Sequence, residues 1–214
     1  MAYAWVVAKR RYEQRQRAEA AERTRQRIVD AVVQRLREAP AEPVSIEQIA
    51  TMAGVARSTV YAIFGSRAGL FDAVGLDSAE RAGYANLLEA VRHPDASEHL
   101  RGGVRASCQM YAGYRDVRRA LFSMAQLDEE AVGGAVRRIE EERTAGMKRL
   151  ARRLSEQGYL RKGVTRAEAE NILWVVTSFE SFDLLYTGKG LQVDAVVEIL
   201  TAMAQRALIA PAER

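Results

Sequence analysis

Residues Ser45–Leu70 read SIEQIATMAGVARSTVYAIFGSRAGL, and the fold turns on this stretch. Ser45 and Gln48 have capping-box spacing, in which the hydroxyl accepts from the Gln48 amide while Gln48 reaches back, and Val44 and Ile49 flank them as a hydrophobic staple. Ile46, Ile49, Ala50 and Ala53 recur at helical spacing, so a helix starts at Ser45 with one apolar stripe, leaving Glu47, Gln48 and Thr51 outside. Gly54 ends it, because glycine takes φ > 0 without steric cost, and Val55 is placed to plug the corner. A second helix is expected from about Arg57 to Phe64, with Val60 and Phe64 inward and Arg57, Ser58, Thr59, Tyr61 and Ala62 outward. Two short helices joined at a glycine predict a helix-turn-helix, whose second helix fits a major groove roughly 12 Å wide.

The outward residues carry suitable chemistry. An arginine pairs bidentately with guanine O6 and N7, so Arg57 is a candidate for a base or phosphate contact, against the plainer reading of a solvated charge. Ser58 and Thr59 bring hydroxyls and backbone N–H groups to a helix N-terminus, which suits a phosphate or a base edge, although both also simply favour that position. Ser45 and Ala62 complete the candidate DNA-binding set with Tyr61 and Arg67. Ser66 is placed to cap the helix that follows.

The longer run IEQIATMAGVARSTVYAIFGSRAGLFDAV resembles the tetracycline-repressor (TetR) family of bacterial transcriptional regulators, in the order apolar helix, A-G-V, polar pair, T-V-Y, F, S-R and L-F. The resemblance implies that Tyr61 contacts phosphate and that Arg67 is a basic phosphate clamp; a half-buried core aromatic and a plain surface ion are the alternatives. The sequence departs from the family pattern at Ala56, where a serine or threonine cap is usual, at Gly65, often proline, and at Ala68 and Gly69, often acidic. A missing cap costs about 1 kcal/mol, so this helix start must lean on packing. Ala62 and Ile63 stand where bulkier residues are frequent, so no base preference is carried over.

Composition agrees with an all-α protein: four prolines, abundant Ala, Glu, Arg and Leu, and few β-branched runs. The 214 residues suffice for a small helical module and a larger core-bearing domain. The net charge of +4 is uneven, with twelve of the 32 Lys/Arg but only seven of the 28 Asp/Glu in residues 1–70. Basicity therefore lies with the segment expected to meet DNA. The sole cysteine, Cys108, excludes an internal disulfide and fits a reducing cytoplasm. The longest strongly apolar stretch, Ile172–Val176, is too short to span a bilayer, and MAYAWVVAKRR has its basic cluster on the wrong side for a signal peptide. A cytoplasmic location is expected. His93 and His99 lack helical metal-ligand spacing, and no C-x-x-C, H-E-x-x-H, Walker or dinucleotide motif occurs. No catalytic residue, cofactor or metal is expected.

Three regions follow: a basic arm at 1–22, a helix-turn-helix domain at 23–70 with three helices, and a larger helical domain at 71–214. The arm carries Lys9, Arg10, Arg11, Arg15 and Arg17 and either touches DNA or remains a solvated tail; nothing in it breaks a helix, so it can extend the first helix, whose core side is Ile28, Ala31, Val32 and Leu36. Pro40 and Pro43 stop that helix near Ala39. Further helices are expected at Ser66–Val91, Asp95–Asp116, a short one over Val117–Ala125, Asp128–Gln157, Thr165–Tyr186 and Asp194–Leu208, with Thr165 and Glu168 as a second capping box and Gly158 as a stop.

The last two helices are apolar around much of their circumference, more than one intramolecular face needs. Trp174, Phe179, Phe182, Val196, Leu200 and Met203 are the expected homodimer interface, and the region SFESFDLLYTGKGL looks similar to the family's dimerising helix pair. A two-fold pair of reading heads also multiplies specificity by reading two half-sites of a palindromic operator. Glu180 and Asp183 sit oddly in that helix, either paired with arginines across the dimer or lining a ligand cavity. The resemblance further implies a small-molecule effector in the larger domain, which shifts the connecting helix from Ser66 to Val91 and so respaces the reading heads. Met110, Tyr111, Tyr114, Phe122, Met124, Met147 and Trp174 are candidate lining residues, plain core being the alternative for each. The expected function is a ligand-responsive repressor; the competing one is an architectural or non-specific DNA-binding protein without an effector.

Overall fold

The computed structural model describes residues 2–40, 42–127 and 132–211, which form ten helices and no named strand. In chain order these are α1 (Ala2–Glu38), α2 (Ile46–Ala53), α3 (Arg57–Phe64), α4 (Arg67–Arg81), α5 (Tyr84–Val91), α6 (Ala96–Leu127), α7 (Gly134–Glu156), α8 (Arg166–Val176), α9 (Phe179–Tyr186) and α10 (Val193–Leu208).

Two apolar cores organise them. The first joins Ile28, Val32 and Leu36 of α1 to Ile46 and Ile49 of α2, Val60 of α3, and Leu70, Phe71 and Val74 of α4. It also takes in Val117, Ala120, Leu121 and Met124, from the second half of α6. The second core gathers Leu100, Val104, Cys108 and Tyr111 from the first half of α6, with Leu150 and Leu154 of α7, Leu173 of α8, Phe182 of α9 and Leu200 of α10. Each fully buried Leu, Ile or Phe contributes about 1.5–3 kcal/mol, so both cores stand on apolar burial. Helix α6 therefore belongs to both, and it changes allegiance near Tyr114, whose φ of −134° and ψ of 25° leave helical geometry and kink the helix.

Three expected boundaries moved. The helix foreseen over Ser66–Val91 is cut at Gly83, whose φ of 94° turns the chain between α4 and α5. The division expected at Asp116–Val117 is instead the kink at Tyr114, across which the helix continues to Leu127. The helix foreseen to Tyr186 breaks at Thr177 and Ser178, because their side chains engage nearby backbone: the Thr177 hydroxyl donates to the Leu173 carbonyl at 2.8 Å, and the Ser178 hydroxyl accepts from the Ser181 amide at 3.0 Å, which caps α9. The start expected at Asp128 lies outside the described residues.

Other signals held. Thr165 accepts from the Glu168 amide at 3.1 Å and opens α8, and Gly158, at φ 73°, follows the end of α7. The arm and the first helix are one element of 37 residues, about 55 Å long at 1.5 Å per residue. Residues 12–23 of it are exposed throughout, whereas the side chains of Lys9, Arg10 and Arg11 lie outside those described. No described helix is long and apolar enough to cross a membrane.

Candidate nucleic-acid interface

The turn between α2 and α3 is fixed by backbone geometry. Gly54 takes φ 64° and ψ 41°, its amide donates to the Thr51 carbonyl at 3.1 Å, and the Val55 amide donates to the Ala50 carbonyl at 2.9 Å. This pair of bonds is a Schellman motif, and it sets the angle at which α3 leaves. Val60 at 1% exposure pins α3 to the first core. The opposite face carries Arg57, Ser58, Tyr61 and Ala62, all exposed, with Thr59 half-buried beside them. The Arg57 guanidinium lies 5.6 Å from the Tyr61 ring centroid, and the Tyr61 hydroxyl holds the Arg57 pKa above its ordinary value. The two side chains thus brace each other on the outer face, and the cation persists at any pH at which the protein folds.

Ala56 precedes α3 in extended geometry, with φ −73°, ψ 149° and no side-chain cap. The Thr59 amide donates to the Ala56 carbonyl at 2.9 Å, and the first two N–H groups of α3, with no side-chain cap, are left for water or an anion. At the next helix the arrangement differs: Ser66 accepts from the Gly69 amide at 3.0 Å and caps α4. Arg67, one residue on, donates from Nη2 to the Val44 carbonyl at 3.1 Å and lies 5.7 Å from the Phe71 ring centroid. It ties the entrance of α2 to the start of α4, a structural duty beyond that of a surface ion.

Ser45 is exposed and makes no side-chain cap bond, contrary to the capping box expected there. The other half of that box, the Gln48 side chain, is engaged by Arg35, which sequence reasoning passed over. This guanidinium is 5% exposed and donates to Gln48 Oε1 at 3.1 Å, the Ala39 carbonyl at 3.1 Å and Glu42 Oε2 at 2.6 Å. Gln48 is thereby drawn to α1 instead of reaching back to Ser45. An i, i+4, i+7 stripe of apolar residues is visible in a sequence, but the arginine that closes such a corner has no periodic signature.

The candidate effector residues fall in different places. Met110, Tyr111 and Tyr114 are buried in the second core, with Met147 half-buried against it, while Met124 is buried in the first core. Tyr111 donates to the Thr177 carbonyl at 3.1 Å, and burial pushes its pKa up to about 12. Met124 also borders an open cavity of about 820 Å³ between the ends of α1 and α6, and Phe122 borders a groove of about 440 Å³ with Phe179. Trp174 is 42% exposed, its indole donating to the Thr144 hydroxyl at 3.2 Å beneath the Arg143 guanidinium, 4.4 Å from its centroid.

Of the six residues expected at a dimer interface, Phe179, Phe182, Val196 and Leu200 are each 5% exposed or less within a single chain. They line the protomer's own core, with Val196 and Leu200 at the inward positions of α10. Trp174 and Met203 stay exposed, joined by Val175, Leu184 and Ile199. Asp183 pairs within its own chain, with Arg115 at 2.6 Å and Arg119 at 3.7 Å, and against the burial that raises its pKa, the Thr187 hydroxyl and these arginines hold it below the usual value. Glu180 is exposed at the rim of the 440 Å³ groove. Among the described residues, no group of three or more His, Cys, Asp or Glu is arranged to hold a metal ion. The thiol of Cys108 is buried and its pKa is pushed up to about 12, which leaves it an unreactive core residue.

Comparison with known proteins points the same way as the geometry. Residues 28–74, from α1 into α4, match the family described as bacterial regulatory proteins, tetR family. No curated protein matches the chain. Among solved structures, NalD, the secondary repressor of the MexAB-OprM multidrug efflux pump in Pseudomonas aeruginosa, is 22% identical with a TM-score of 0.66, over 91% of this chain and 100% of that one. The fatty acid degradation regulator FadR from Bacillus halodurans is 17% identical with a TM-score of 0.66, over 85% and 94%. The ketosteroid transcriptional regulator KstR2 of Mycobacterium tuberculosis is 16% identical with a TM-score of 0.63, over 87% and 95%. At such identities the likeness shows the fold alone, over 85–91% of this chain.

Proposed function

We propose, from the premise that this chain belongs to the TetR family of bacterial transcriptional regulators, that it is a cytoplasmic, ligand-responsive repressor which binds a palindromic operator as a homodimer. The observation that carries the reading is the outer face of α3, where Arg57, Ser58, Tyr61 and Ala62 stand exposed on a helix pinned from behind by Val60 and set at a fixed angle by Gly54. A rigid helix with its polar face outward meets base edges and phosphates without a cost of ordering. Arg57 reads a base, Ser58, Thr59 and Tyr61 hold phosphates or base edges, and Ser45 and Arg67 flank them.

Dimerisation is supported by the exposed apolar side chains of α8, α9 and α10, namely Trp174, Val175, Leu184, Ile199 and Met203. Effector response is supported by the two-core construction. Because Val117–Met124 of α6 pack with the reading head and the residues before Tyr114 pack in the other core, a change at the kink moves one core against the other. An effector has only to favour the spacing that DNA does not.

Selection of bound fragments from randomised duplex tests the reading. A palindrome preferred over random DNA by roughly a thousandfold or more is expected. Equal affinity for every duplex would replace it with an architectural role.

A further inference from the structure

Arg118 lies just past the kink of α6, where the two cores meet, and neither DNA contact nor dimerisation uses it. It is 2% exposed. Nη1 donates to the Tyr114 hydroxyl at 2.8 Å and Nη2 to Glu140 Oε1 at 3.2 Å, while Nε is buried with no acceptor. Around it stand four rings, with centroids 4.7 Å (Phe122), 4.9 Å (Tyr111), 5.4 Å (Phe179) and 5.9 Å (Tyr114) from Cζ. Glu140 is not Arg118's alone, because its Oε2 accepts from Arg143 at 2.6 and 2.9 Å. Two guanidinium groups therefore share one carboxylate, and this part of the interior holds a surplus of one positive charge with an open donor. Such an arrangement is unfavourable by itself and becomes favourable when an anion enters.

A path for one is at hand. Phe122 and Phe179, two of the rings against the guanidinium, also line the 440 Å³ groove, whose rim carries Asp183 already paired with Arg115 and Arg119. Those two side chains are thus common to the groove lining and to the surroundings of the Arg118 guanidinium. The ligand's chemistry follows from the surroundings. One surplus charge calls for a monoanion, the Nε–Nη2 edge of a guanidinium matches the two oxygens of a carboxylate, and ring faces on several sides call for an aromatic body.

We propose that Arg118 anchors a small aromatic carboxylate, with its two oxygens on Nε and Nη2 and its ring among Tyr111, Phe122 and Phe179. The proposal rests on the ligand-responsive reading above and names the class of ligand. It also supplies the coupling: Tyr114, which accepts from Arg118, is the residue at the kink, so a carboxylate that draws Arg118 away changes the joint between the cores.

Calorimetric titration of the full chain with benzoate, phenylacetate and cinnamate, each beside its carboxamide, tests the site without DNA. At least one acid should bind, with its amide weaker by about tenfold or more, and Arg118→Gln should abolish the difference. Glu140→Gln removes the competing carboxylate and should tighten the acid several-fold. If Arg118→Gln does not fold, the acid–amide pair and Glu140→Gln decide the matter alone. No binding of any acid at about 10 mM, equal binding of acid and amide, or no gain in Glu140→Gln overturns the site. A parallel measurement of operator release separates the two readings. Release by neutral or cationic compounds alone removes the carboxylate site and leaves a ligand-responsive repressor, whereas acid binding without any release leaves the site and removes the response.

Discussion

At the scale of single residues, the outer face of α3 makes separable predictions. Arg57→Ala should cost about 1–3 kcal/mol of operator affinity and relax preference at one base position, since a bidentate arginine both binds and reads. Tyr61→Ala and Arg67→Ala should weaken all duplexes alike, with Arg67→Ala lowering the salt slope by about one, measurable by titrating fluorescent operator at several salt concentrations. Equal loss on operator and random DNA for Arg57→Ala would remove its reading role. A second prediction concerns His99, 6% exposed, whose Nδ1 lies 2.9 Å from Arg153 Nη1 and so accepts from it. Burial first, then the nearby cations of Arg153, Arg149 and His93, lower its pKa from 6.5 to about 4. The unfolded chain thus takes up a proton that the folded one refuses. The stabilisation is whole above pH 6.5 and is lost as pH falls to about 4. In urea unfolding, His99→Asn, which keeps an acceptor near Nδ1 but does not titrate, should lose about 2–3 kcal/mol less than the wild type between about pH 7.5 and pH 4. The outward row of α3 was legible from spacing. Arg35, Arg118 and the buried state of His99 were not, because a charged residue inside a core is recognised only by the partners that folding brings to it.

At the scale of elements, the sequence announced starts and stops well where a cap or a glycine stands alone. Thr165, Ser66 and Gly54 all act as their residue types suggest. It failed where a side chain had a choice. Gln48 turned to Arg35, and Thr177 and Ser178 broke an apolar run that reads as one helix, because local bonds to backbone outcompete a helix whose apolar residues alone look continuous. The contrast between Ser66 and Ala56 gives a direct test. Both residues occupy extended positions before a helix, yet only Ser66 caps. Ala56→Ser should raise stability by about 0.5–1 kcal/mol, and Ser66→Ala should lower it by about 1 kcal/mol. Gly54→Ala meets no atom within 4 Å, so its effect isolates backbone strain at φ 64° and should cost about 1–2 kcal/mol. Thermal melts of the three variants should rank in that order, and a neutral Gly54→Ala would mean that the turn tolerates another geometry.

At the scale of the whole molecule, an all-α chain with a small reading head and a larger second core was legible, since helical periodicity and the basic bias of residues 1–70 both survive in the primary structure. The sharing of α6 between the cores was not, because both of its halves carry apolar residues at helical spacing and only packing assigns each to a core. The same ambiguity bears on the interface residues: on a helix apolar on several sides, the sequence does not say which apolar face turns inward. The structure divides α10, with Val196 and Leu200 in the core and Ile199 and Met203 outside, and leaves Leu184 of α9 69% exposed. If that outer surface joins two copies, Leu184→Glu with Met203→Glu places four carboxylates in one apolar contact of the dimer, since two-fold symmetry doubles every substitution. Burying a charge there without a partner is costly, whereas the lone protomer leaves both positions in water. The double variant should therefore keep the helical content of the wild type, sediment as a monomer, and lose most operator affinity, because a single reading head contacts only one half-site. The opposite pair, Val196→Glu with Leu200→Glu, should unfold the chain instead of dissociating it. A double variant that sediments with the wild type would place the contact between copies on another surface.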